Sequence, residues 1–84
     1  MRIHIVEVKE SYRLITDEDG RYAVVEARCG HVYSLHGNQR RMALDSDAGM
    51  ALVVGKDGWF GEPQARACLE AAARGEDYYR QHIR

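Results

Sequence analysis

Cys29 and His31 stand two residues apart, with His36 five further on. These are the side chains best suited to grip a borderline-soft metal, or to act as nucleophile and base. Their spacing works against both roles. On an extended strand residues 29 and 31 share a face while 36 takes the other, and no C-x-x-C or H-x-x-x-H pair completes a closed metal site. A reactive thiolate also needs a nearby cation or helix N-terminus to lower its pKa, and an orienting third group. No orienting third group stands at a recognisable position, and no helix N-terminus lies next to Cys29 in the sequence. His4 and His82 could join only through a contact made by the fold, and Cys68, on an apolar helical stripe, reads as packing.

Other groupings are thinner still. Asp45-Ser46-Asp47 resembles a fragment of a calcium loop, but no acid closes the loop at the required distance. Gly55, Gly58 and Gly61 precede a helix without the spacing of a dinucleotide or P-loop motif. Arg40 and Arg41 in a turn, with Arg80 and Arg84 beside Tyr78, Tyr79 and His82, form the basic and aromatic groupings that could grip phosphates and stack bases. Acids are interspersed throughout, so nucleic-acid binding is an alternative rather than the favoured reading. No catalytic, cofactor or metal residue is assigned.

The elements that must position these residues follow from size and period. With 84 residues, one domain is expected over 1–84, burying roughly 60–65% of its unfolded surface. So small a core favours a surface-acting protein over an enclosed active site, and a homodimer would stabilise it. Charged residues make up 30% of the chain and leave a formal net charge of -1, which gives no global field for nucleic acid or anionic lipid. Two cysteines give no disulfide framework. No stretch has the length of a membrane span or the apolar core of a signal peptide, so a soluble cytoplasmic protein is expected.

Alternating apolar residues predict a sheet over 1–60, and a 3.6-residue period predicts a helical region over 61–84. Ile3, Ile5, Val6 and Val8 mark a first strand whose alternation breaks at Ile5-Val6, the sign of a bulge. Tyr12 to Thr16 follows, then the polar turn Asp17-Glu18-Asp19-Gly20. Arg21 to Arg28 is apolar on both faces, as a central strand is, with Glu26 expected at the rim. Cys29-Gly30 turns into His31 to His36. Met42 and Leu44 form a brief strand, Asp45 to Gly49 a turn, and Met50, Leu52 and Val54 a further alternating run with those residues facing the core. Trp59-Phe60 should seal the corner between sheet and helix. Glu62-Pro63 starts the helix, whose stripe is Ala65, Cys68, Leu69 and Ala72, with Glu70 and Arg74 spaced to pair. Gly75 suits a C-terminal cap, while Tyr79 and Ile83 keep the helical phase beyond it.

The runs Tyr22-Ala23-Val24-Val25, Tyr33-Ser34-Leu35, Ala48-Gly49-Met50 and Cys68-Leu69 resemble the small MbtH-like proteins. Those are meanders with a helix that dock on adenylation enzymes of peptide synthesis. Met50 stands where that family has tryptophan, its proline after the serine segment is absent, and its Trp-Thr-Asp tail has no counterpart. The resemblance therefore implies no functional residue here, only that such a shape can serve as an accessory protein.

The expected fold is α+β, a small antiparallel meander of four to five short strands with a C-terminal helix packed on one face. The expected role is a non-enzymatic adaptor, accessory subunit or inhibitor that binds another protein. Tyr12, Arg41, Trp59, Tyr78 and Tyr79 are its candidate contacts, because aromatic and arginine side chains dominate interface energetics.

Overall fold

The computed structural model describes residues 2–35 and 40–76. Five strands, β1 (His4–Lys9), β2 (Tyr12–Thr16), β3 (Tyr22–Arg28), β4 (His31–Tyr33) and β5 (Met42–Leu44), form one antiparallel sheet in the order β1-β2-β3-β4-β5. Two helices, α1 (Asp47–Val54) and α2 (Glu62–Ala73), lie on opposite faces. The C-terminal helix packs on the sheet as the sequence implies, and the α+β meander holds.

Strand turns follow from local chemistry. Cys29 and Gly30 both take positive φ, 52° and 79°, the geometry of a two-residue hairpin that matches the twist of the flanking strands. The expected break in β1 is a register shift between Ile5 and Glu7 against β2. β3 sits at the centre of the sheet and is apolar on both faces because each face meets a helix.

One element departs from expectation. The run containing Met50, Leu52 and Val54 is helical, not a strand, and the Asp45 to Gly49 segment leads into it. Ser46 caps α1, its hydroxyl accepting the Gly49 N–H at 2.9 Å, which satisfies one orphan donor of the first turn. Met50, Val53 and Val54 are buried, the i, i+3, i+4 positions of one helical face, while Leu52 is 64% exposed. The sheet region is thus interrupted before residue 60.

Each helix closes one apolar layer. Ile3, Ile15, Ala23, Val25 and Val32 pack under α1 against Met50, Val53 and Val54, with Trp59 at the margin. Leu14 and Val24 pack under α2 against Ala65, Cys68 and Leu69, with Tyr12, Tyr22, Leu35 and Phe60 at the margin. Each fully buried large side chain contributes about 1.5–3 kcal/mol. The chain passes between the layers at Trp59-Phe60. Phe60 exchanges two backbone hydrogen bonds with Tyr22, at 2.9 and 2.7 Å, so it lies beside the end of β3 while its neighbour Trp59 serves the α1 layer. The expected corner seal is therefore split between two layers.

α2 begins at Gly61-Glu62-Pro63 and ends in a Schellman turn, with Gly75 at φ 80° and the Glu76 N–H donating to the Ala71 carbonyl at 2.8 Å. Glu70 pairs with Lys9 of β1, and Arg74 with Glu76, rather than with each other as expected. Arg66 joins Glu7 at 3.0 Å and Glu62 at 2.9 Å. These pairs tether α2 to the β1 side of the sheet. Among the described residues no helix is long and apolar enough to cross a membrane.

Candidate functional site

Placement of the helices decides what the sheet leaves open. α1 touches β3, β4 and β5, and α2 touches β1, β2 and β3. On the α2 face, no helix among the described residues covers the quarter above β4 and β5. Register puts Glu26 opposite Tyr33, Tyr33 opposite Met42, Arg28 opposite His31 and His31 opposite Leu44. All these side chains share that face, since the intervening Val32 and Ala43 point into the α1 layer.

Met42 and Leu44 are 58% and 69% exposed. Beside them the Tyr33 ring lies between two guanidinium groups, Arg28 at 5.4 Å and Arg40 at 5.2 Å from its centroid. Both arginines pair with Glu26, Arg28 through Nε at 2.9 Å. Glu26 is buried at 6% exposure rather than at a rim, and two cations against one carboxylate leave the quarter positive. Arg40 also donates to the Ser34 carbonyl at 3.2 Å, and Ser34 Oγ accepts the Arg41 N–H at 2.8 Å. The loop arginine is thereby held against the sheet.

The outer edge of β5 adds backbone groups to this surface. The Asp45 N–H donates to Gly30 and the Ser34 N–H to Arg41. That pattern makes Tyr33/Met42 and His31/Leu44 the non-hydrogen-bonded pairs of the β4–β5 ladder. The N–H and C=O groups of Met42 and Leu44 therefore face away from β4, those of Met42 and the Leu44 N–H toward the outer edge and the Leu44 C=O toward α1, where Gly49 packs on it. Leu44 C=O accepts Ser46 Oγ at 3.4 Å.

Of the residues singled out from the sequence, Tyr12 lies across from Glu26 and packs at the margin of the α2 layer. Arg41 goes to the other face, where its guanidinium lies against Gly55 at the end of α1. Trp59 is on that same side, half-buried beneath the Arg21 guanidinium at 5.2 Å. Arg40 and Arg41 are thus separated by the sheet. Tyr78, Tyr79, Arg80 and Arg84 lie outside the described residues, as do His36 and His82.

Among the described residues neither candidate metal grouping converges, His36 lying outside them. The His31 imidazole donates through Nδ1 to the Cys29 carbonyl at 3.2 Å, Cys29 is exposed, and Cys68 is buried in the α2 layer. Asp45 forms a two-point pair with Arg13, at 2.8 Å each, and Asp47 accepts the Ile3 N–H at 3.2 Å. The hydrogen bond from Arg13 holds the Asp45 carboxyl below its usual range, and Arg13 rises in turn. Among the described residues, no three His, Cys, Asp or Glu side chains converge as a metal site.

Sequence reasoning missed Arg28, Tyr33, Met42 and Leu44 as a group. Their shared face could be read from the strand period, but the half of that face left uncovered depends on where α2 lands. No protein-family model, curated protein or solved structure matches the chain. The resemblance to MbtH-like proteins stays with the short runs that carry it.

Proposed function

We propose that this is a small non-enzymatic protein-binding module, an adaptor, accessory subunit or inhibitor acting in the cytoplasm. On this reading it receives an extended segment of its partner along β5. The observation that carries the proposal is the outer β5 edge beside a sheet quarter that no helix among the described residues covers. The outward N–H and C=O of Met42 and the N–H of Leu44 supply main-chain pairing, and the exposed side chains of both residues flank a Tyr33 held between two arginines. Strand addition uses these parts: backbone hydrogen bonds give affinity and alternate side chains give specificity. A second copy of the chain is one partner that could supply the strand. Arg40 and Arg41 stand on opposite faces and offer no common surface to a nucleic-acid backbone.

The test is affinity capture with the full chain as bait, repeated with Met42→Pro, Leu44→Asp and Val8→Lys. Met42→Pro removes an edge donor while leaving the β4 ladder intact, and Leu44→Asp alters that sheet quarter. Val8→Lys alters the opposite edge. A partner that survives nuclease and high salt, and is lost with the first two variants but kept by the third, is the expected result. Capture that disappears with nuclease, or that depends on Val8 alone, overturns the assignment.

A further inference from the structure

A second surface lies on the opposite face, unconnected with the β5 edge. Ala51, Leu52, Gly55 and Lys56 at the end of α1, with Trp59 and Arg21, line an open groove of about 370 Å³. That is near the lower bound for small-molecule sites. Its walls are apolar, with Leu52 64% exposed on one side and the indole of Trp59 on the other. The lining holds two cations and no carboxylate. Arg21 is already matched, to Asp17 at 2.7 Å and Asp19 at 3.6 Å, and lies over the indole ring. Lys56 is different, as is Arg41, whose guanidinium rests against Gly55. Neither has a carboxylate partner among the described residues. Against Lys56 in the lining and Arg41, which reaches Gly55 from beside it, stand the α1 C-terminus with about half a negative charge and the exposed Asp57 that follows Lys56, so this end keeps a small positive excess.

We propose that this groove binds a small organic carboxylate with a planar apolar body, the ring lying along Trp59 and Leu52 and the carboxylate meeting Lys56 and Arg41. Apolar contact supplies affinity, and the paired cations select for the anion. The chain has one tryptophan, so the single indole N–H resonance of the ¹⁵N-labelled full chain reports on the groove. Titration with 2-naphthoate should shift that resonance saturably. The neutral isostere 2-naphthamide should bind at least about tenfold more weakly, as should 2-naphthoate to the Arg41→Gln/Lys56→Gln double variant. Both changes are at exposed side chains, and the remaining spectrum verifies the fold. Absence of a saturable shift up to ~10 mM, equal affinity for acid and amide, or undiminished binding by the double variant would each overturn the site.

Discussion

At Asp17 burial and charge pull in opposite directions. Burial alone would push its carboxyl up, but the Arg21 N–H, the Arg21 guanidinium and the Asp19 N–H together hold it below the usual carboxylate range. The side chain accepts both backbone N–H groups through Oδ1 and the guanidinium through Oδ2, at 2.8 to 3.0 Å. It therefore builds the β2–β3 turn and positions the arginine that covers Trp59. Asp17→Ala should cost about 2–3 kcal/mol in urea unfolding, since charged acceptors are being removed from buried donors. Asp17→Asn, which keeps Oδ1, should cost less. Asp45 is lowered by Arg13 in the same sense. A group whose folded pKa is depressed binds its proton first in the unfolded chain. The stability both residues supply is thus fully present above the ordinary carboxylate range and is lost as pH falls through it to the depressed folded values. Urea midpoints measured from pH 7 down to about pH 2 should fall in that window, and less so in a chain carrying both Asp17→Asn and Asp45→Asn.

Among the elements, α1 shows how far period alone can be read. Residues 48–54 are apolar apart from one glycine, so Met50, Leu52 and Val54 fit a two-residue period as well as Met50, Val53 and Val54 fit a helical one. Ser46 as an N-cap was the available signal, but its hydroxyl serves equally in a turn. β3 was legible because both of its faces are apolar, β1 because its alternation breaks, and α2 because proline and glycine mark its ends. Close approach of α1 to β5 was not legible, because it depends on Gly49. A Cβ there would run into the Leu44 carbonyl. Gly49→Ala should therefore lower stability even though alanine favours helix by about 1 kcal/mol over glycine. A thermal midpoint raised by this substitution would show that α1 does not lie against β5 as described.

For the whole molecule, the two apolar layers share one sheet, and the chain crosses between them at Trp59-Phe60. Neither layer can open without uncovering the back of the other's strands. Leu69→Ala, which acts in the α2 layer, should cost about 2–5 kcal/mol. It should lower the midpoints followed by Trp59 fluorescence and by far-ultraviolet circular dichroism equally, as one cooperative transition requires. A Trp59 midpoint left in place would mean two separable units. The quarter above β4 and β5 that neither described helix covers is a property of this scale, set by α1 lying on β3 to β5 and α2 on β1 to β3 of the other face, and strand patterns do not encode it. The β1 bulge takes on a meaning here too. A sheet with two straight edges could add strands at both ends and grow without limit. The register shift between Ile5 and Glu7 against β2 bends the β1 edge strand, and a bent edge is a poorer template for a further strand than a straight one.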